Sequence, residues 1–305
     1  MKVFENISDY IPEQMRRFPF LSPDFYMDRF TDFYNKSEDV FDQFQSPHKR
    51  NFFEITLAIK ESIPVNIGES TCVDNQNALE IISPFQVFSF GAIPSKEEKK
   101  NANPDEAYSI FFKSSFLHPA RQPYEIQDNF PFFTIHTTPK YQFSAEQTKE
   151  FLDIFKLIFE EVKQPKEYSV QILQSYLNIL LYKIKQVTTG EVKLISNNRF
   201  DLITSQYEQL ISTNIDSFST VREYASSLNI SPIYLSECVK KSTGKSAQQI
   251  LIDYKILHVK SILHQTNRPI SDIANEIGFS ELTNFTKFFK KNTGLTPSQF
   301  RKQKE

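Results

Sequence analysis

What this 305-residue chain lacks narrows the question first. It has two cysteines, Cys72 and Cys238, and no C-x-x-C pair, which excludes a disulfide framework and a cysteine-rich structural zinc site. Cys238 reads most simply as a small core residue. No stretch approaches the ~20 apolar residues of a membrane span, and the opening MKVFENISDYIPEQ has no apolar core of signal-peptide type. The expectation is a cytoplasmic protein. The five histidines, His48, His118, His136, His258 and His264, contain no H-x-H pair. A metal triad would have to converge from scattered strands, so neither a metal nor another cofactor is expected. A net charge of -2 is too small to point to nucleic acid by itself.

The distribution of charge says more than its sum. Residues 238–305 hold 12 Lys and Arg against 5 Asp and Glu, so the positive end is local. The length favours two domains over one.

The most informative stretch runs from Val221 to Arg301, because it carries the same helical pattern twice. Val221, Tyr224, Ala225 and Leu228 fall at i, i+3, i+4 and i+7, and so do Ile270, Ile273, Ala274 and Ile277. Each short helix then meets a residue suited to a left-handed turn, Asn229 or Gly278. A second helix is expected behind a serine N-cap in both copies, Ser231 followed by Pro232 and Ser280 followed by Glu281. Its buried side is Leu235, Cys238 and Val239 in one copy and Phe285, Phe288 and Phe289 in the other. Both end alike, as KKSTG (Lys240 to Gly244) and KKNTG (Lys290 to Gly294), with the glycine placed to stop the helix. Two short helices with a tight turn, the second carrying polar residues outward, describe a helix-turn-helix DNA reader. A bundle of look-alike helices would not need the shared register and ending.

Between the copies a helix from about Ser246 to His264 has two apolar faces, Ile250, Tyr254 and Leu257 on one and Ile252, Ile256, Val259 and Leu263 on the other. It therefore packs against both units. Its length of about 28 Å is near the ~34 Å between successive major-groove entries on one face of B-DNA.

The segment from Asn229 to Arg301, and above all IANEIGFSELTNFTKFFKKNTGLTPSQFR, resembles the DNA-binding domain of the AraC/XylS family of bacterial transcription regulators. The resemblance is detailed over roughly the last third of the chain. It implies an α+β protein with an N-terminal cupin-like antiparallel β-barrel with flanking helices, and a C-terminal all-α domain of two helix-turn-helix units joined by a linker helix. The expected divisions are a regulatory, effector-sensing domain at 1–188, a linker at 189–199 and a DNA-binding domain at 200–305. Implied partners are promoter DNA, a small-molecule effector, RNA polymerase and a second copy of the chain.

The N-terminal sequence fits that outline. Residues 1 to about 30 are polar and aromatic without a period and read as an arm. FFEITLAI (Phe52 to Ile59), ALEIIS (Ala78 to Ser83), QVFSFGAI (Gln86 to Ile93), YSIFFKS (Tyr108 to Ser114) and FFTIHTT (Phe132 to Thr138) are β-branched and aromatic runs between turn residues. Such a series predicts a small antiparallel sandwich or barrel. Its phenylalanines either fill the interior or leave room for a small ligand. His48, with Lys49 and Arg50, reads as an exposed basic turn or as an anion contact at the barrel mouth. Ser144 with Gln147 forms a capping box ahead of the stripe Phe151, Ile154, Phe155, Ile158, Phe159 and Val162. A second helix spans about Ser169 to Gln186. This pair either covers the barrel or meets its copy in a second subunit. The run VTTGEVKLISNNR (Val187 to Arg199) has no helical stripe and is assigned to the interdomain linker.

With the buried positions spoken for, the outward residues of the reading helices are Ile233, Ser236, Glu237 and Lys240 in the first, and Leu282, Thr283, Thr286, Lys287, Lys290 and Lys291 in the second. The resemblance implies base reading at Ile233, Ser236, Glu237, Thr283 and Lys287. Glu237 departs from the family, where a neutral or basic group is common. A carboxylate accepts from cytosine but is repelled by phosphate, so the first unit should bind more weakly or more selectively. Ser231 and Ser280, with the free N–H groups of their helices, are candidate phosphate contacts. The competing reading is an enzyme carrying this module, either an alkyl-transfer repair protein or a metal-dependent cupin. The first needs a reactive cysteine and the second a histidine cluster. Neither is present in the sequence, and no enzyme is expected.

Overall fold

The computed structural model describes residues 2–29, 46–59, 65–67, 70–72, 77–90, 107–137, 140–188, 193–195, 199–215 and 220–302. Its strands form two sheets rather than one closed barrel. The first has the order β1 (Lys2–Phe4), β3 (His48–Arg50), β8 (Phe88–Phe90), β5 (Val65–Ile67), β6 (Ser70–Cys72). The second runs β11 (Lys193–Ile195), β10 (Lys140–Gln142), β7 (Ala78–Ile82), β4 (Phe53–Ala58), β9 (Ala107–Phe112), β2 (Phe25–Arg29). All pairings are antiparallel except β1 with β3. The mixed α+β class is as expected, and the purely antiparallel closed barrel is not found among the described residues.

The period of two explains how the second sheet sits. Phe53, Ile55 and Leu57 of β4 point with Leu79, Ile81, Tyr108 and Ile110 into the main core. That core is closed by α4 (Ala145–Lys163) and α5 (Ser169–Thr188), which supply Phe151, Phe155, Ile158, Leu173, Leu177 and Leu181. The stripe on α4 thus covers the sheet inside one chain. It is not an open face for a second subunit, because Phe155 and Ile158 are fully buried and Phe159 is 6% exposed. The Ser144–Gln147 capping box is formed, and the helix stops two residues before Pro165.

The opposite face of the same sheet meets the first sheet. Here Phe4, Tyr26, Phe52 and Phe111 pack together with Ile7 and Tyr10 of α1 (Ile7–Tyr10). The N-terminal residues are therefore strand and core, with β1 and β2 each joining a sheet, and not an arm. His48 and Arg50 are also interior, 1% and 2% exposed, so they form neither an exposed turn nor a mouth. The alternation of β3 turns both inward while Lys49 stays half-buried.

Two further expectations fail for tertiary reasons. Residues 132–137 of the run FFTIHTT form no strand, and Thr138 lies outside the described residues. Phe132 and Phe133 are core side chains, and the residues after them leave the sheet to meet the C-terminal domain. Part of the assigned linker, Lys193–Ile195, is strand β11 on the edge of the sheet beside β10. The remaining linker residues 189–192 and 196–198 lie outside the described residues, as do 91–93 of the run QVFSFGAI.

The C-terminal domain begins with α6 (Arg199–Asn214). Then come α7 (Val221–Ser227), α8 (Pro232–Thr243), α9 (Ala247–Gln265), α10 (Ile270–Glu276), α11 (Leu282–Thr293) and α12 (Pro297–Lys302). It has two cores with no residue in common. Tyr207, Tyr224, Leu235, Val239, Ile250 and Tyr254 belong to one, and Ile256, Val259, Leu263, Ile273, Phe285 and Phe289 to the other. Only α9 contributes buried residues to both, as its two apolar faces predict.

Candidate nucleic-acid interface

Each unit is built by local chemistry. Thr220 caps α7 in a full capping box with Glu223, and Ser231 caps α8 by accepting from the Tyr234 amide at 3.1 Å, with Pro232 at the first helical position. The turns reverse as expected, Asn229 at φ 56° and Gly278 at φ 92°. Gly244 and Gly294 end α8 and α11 in the left-handed region.

The copies differ at one point. Between α7 and α8 lie Leu228 to Ser231; between α10 and α11 lie Ile277 to Glu281, one residue more. The extra residue moves the N-cap from Ser280 to Glu281, whose side chain makes no capping bond. Ser280 is exposed one position outside the helix, so the expected serine cap of the second unit is not present. The shared serine hid an insertion that the sequence also shows, since the stretch from Ile270 to Gly294 is one residue longer than that from Val221 to Gly244.

The buried sides are as the spacing requires: Leu235, Cys238 and Val239 on α8, and Phe285 and Phe289 on α11. Phe288 is half-buried. On the outer side Ser231, Ile233, Ser236, Glu237 and Lys240 are exposed, as are Ser280, Leu282, Thr283, Lys287, Lys290 and Lys291. Thr286 departs from this, being half-buried beside Phe285. Ile233 stands 82% exposed, an apolar side chain left in solvent at the start of a helix.

Pairings refine what these groups offer. Glu237 Oε1 lies 2.7 Å from Lys241 Nζ, one turn on, and this hydrogen bond is the main cause that raises the lysine's pKa. The pair neutralises the carboxylate that would otherwise repel a phosphate. Ser236 donates to the Pro232 carbonyl at 2.8 Å, leaving its oxygen as an acceptor. Lys240, Lys241, Lys290 and Lys291 sit in last turns, where cations complement the helix dipole. Cys238 is fully buried, and burial pushes its thiol up, the environment of an unreactive cysteine. Among the described residues no three metal-binding side chains converge.

Two helix pairs on one bridging helix, each presenting a polar, partly cationic outer face, define a tandem helix-turn-helix DNA-binding domain. A family model described as a helix-turn-helix domain matches residues 224–303. The uncharacterized HTH-type transcriptional regulator YtdP of Bacillus subtilis is 29% identical over 164 residues, 53% of this chain and 19% of that protein. The Msm operon regulatory protein of Streptococcus mutans is 30% identical over 127 residues, 40% of this chain and 46% of that protein. The C-terminal domain of AraT from Geobacillus stearothermophilus is 30% identical, covering 35% of this chain and 88% of that one, with a TM-score of 0.32. Residues 224–303 thus belong to the helix-turn-helix domain family that the family model describes, and over that segment the chain is similar to AraC-type transcriptional regulators. The chain spans under half the length of the two curated relatives.

Sequence reasoning missed one set of residues at this domain. Glu208 of α6 is fully buried and takes hydrogen bonds from the N-terminal domain. Its partners lie 71 and 72 residues away, beyond the reach of any periodic pattern.

Proposed function

We propose that the whole chain is a sequence-specific transcription regulator that reads promoter DNA with α8 and α11 and responds to a small polar effector held between its two sheets. The observation that carries the first part is the tandem repeat, whose helices commit Leu235, Cys238, Val239, Phe285 and Phe289 to cores while both outer faces, Ile233 and Leu282 included, stay exposed. Ile233, Ser236, Glu237, Thr283 and Lys287 contact base edges in this reading. Ser231, Ser280, Lys240, Lys290 and Lys291 contact phosphates, and Thr286 packs beside them. The buried thiol of Cys238 supports a non-enzymatic role over alkyl transfer. RNA polymerase is the partner a promoter-bound regulator acts upon, and the protein works in the cytoplasm.

The effector reading is supported by the polarity of the space between the sheets. Arg50 there pairs with Glu54, and Thr56 donates to Glu54 at 2.9 Å and lies 2.8 Å from Ser109. All four are at most 6% exposed, and among the described residues the buried Nη2 of Arg50 has no hydrogen-bond partner. A buried guanidinium with an open donor invites a polar ligand, because an unmade hydrogen bond there costs about 1–3 kcal/mol.

The test is DNA titration of the full chain at two salt concentrations. Lys287 lies two residues from Phe285, about 200° around the helix, in the N-terminal half of α11. Lys287→Ala should cost about 1–3 kcal/mol on the cognate site and relax preference at one base pair. Lys291→Ala should weaken all sequences alike and lower the salt slope by about one unit. An unchanged sequence ranking for Lys287→Ala would make it a backbone contact, and salt-independent binding would remove the DNA-reading function.

A further inference from the structure

The N-terminal domain reaches the DNA-binding domain through α3 (Pro123–Asn129) and the loop that follows it. The contacts run in one order along α9. Tyr124 meets His264 edge-on and Phe300 at a tilt, with ring centroids at 6.0 and 6.2 Å, and Glu125 Oε1 lies 3.4 Å from His264 Nδ1. Asp128 Oδ1 is 2.7 Å from His258 Nδ1. Ile135 packs on the first unit's core, and its amide donates to the Tyr254 hydroxyl at 3.1 Å. His136 Nε2 is 2.9 Å from Asp253, and the amides of His136 and Thr137 donate to Glu208 at 2.8 Å each. The Thr137 and Tyr254 hydroxyls also donate to Glu208. Burial pushes the Asp253 carboxyl up, but hydrogen bonds from His136, Gln249 and Lys245 outweigh it and hold it at about 2.

This segment therefore touches the second unit with its first residues, the middle of α9 with Asp128, and the first unit with its last. The two units have separate cores and share one helix. The outward residues of α8 and α11 stay exposed in the docked chain, so the contact covers neither reading face. We infer that residues 123–137 are a splint that holds the two helix-turn-helix units at a fixed mutual placement, with Glu208 as the positioning residue that fastens it.

A fixed placement raises the effective concentration of the second unit at its half-site once the first is bound. The splint should therefore matter on DNA that engages both units and not on DNA that engages one. The inference rests on the tandem reading proposed above, and the experiment separates the two. The full chain is titrated with a tandem site selected from random DNA and with the same site after one half is scrambled. Glu208→Ala should bind the tandem site about tenfold more weakly and the half-site unchanged. Tyr124→Ala with Asp128→Ala should act in the same direction. These last changes lie outside both helical cores, so they carry the test if Glu208→Ala fails to fold by circular dichroism. Tandem affinity that is unchanged, or that falls together with half-site affinity, overturns the splint. Hydrogen exchange gives the second readout. The amides of His136 and Thr137 should be protected in the free chain and remain protected on tandem DNA. Fast exchange in either state overturns the inference. If the unmodified chain shows no preference for the tandem probe, the tandem reading falls, and exchange at these two amides alone decides whether the segment is fastened.

Discussion

His48 shows how far a residue's chemistry depends on where the fold puts it. Among Phe4, Tyr10 and Phe88, with ring centroids 5.4–5.6 Å away, burial pushes its imidazole down to about 4. In the unfolded chain the same group takes a proton near pH 6.5. Between those values the unfolded state binds a proton that the folded state refuses, so stability falls as pH drops from 6.5 towards 4 and is flat below. The expected loss is about 3 kcal/mol across that window. Urea unfolding at a series of pH values should show it, and His48→Phe should abolish this part of the slope. A slope that survives the substitution would assign the titration to another group. Lys287 and Glu237 are the contrary case, exposed residues whose placement follows from counting along a helix.

At the scale of elements, the two reading helices invite a paired comparison. Ser231→Ala removes a side-chain cap and should cost about 1 kcal/mol of stability. Ser280→Ala removes none and should cost almost nothing, because Glu281 occupies the cap position. Equal losses in thermal unfolding would restore the serine cap of the second unit. Gly244 and Gly294 have open space where a Cβ would stand. Their replacement by alanine should cost only the left-handed backbone penalty, about 1–2 kcal/mol. The α4 stripe is also settled at this scale. Phe155→Glu with Phe159→Glu places two carboxylates in the main core, so the expected result is an unfolded N-terminal domain and not a soluble monomer. A folded variant with a smaller sedimentation coefficient would return the stripe to self-association.

For the whole molecule the two domains are energetically joined. Cutting the chain near Asn198 exposes the buried carboxylate of Glu208 and removes Ile135 from the first core. The fragment 198–305 has the complete repeat and is expected to fold and bind DNA as a monomer. It should nevertheless melt below the same helices in the full chain, because a buried network that loses one side is costly. An equal or higher melting temperature by circular dichroism would show that the interdomain contact adds nothing to stability.

The sequence by itself determined the tandem unit. Its helices, turns and glycine stops rest on spacings of three and four residues and on caps beside the helix, interactions that a short window contains. Strands β4, β7 and β9 were legible for the same reason, since alternation is also local. Only the tertiary structure decided which sheet the α4 stripe covers, that residues 2–29 supply strands and core side chains such as Phe4, Tyr10 and Tyr26, that His48 and Arg50 face inward, and that Ile135 to Thr137 dock instead of pairing. It also placed Glu208 against Thr137, across 71 residues of sequence. Those outcomes depend on which surfaces meet when distant segments pack, and a side chain's own neighbours in the chain do not encode its neighbours in space.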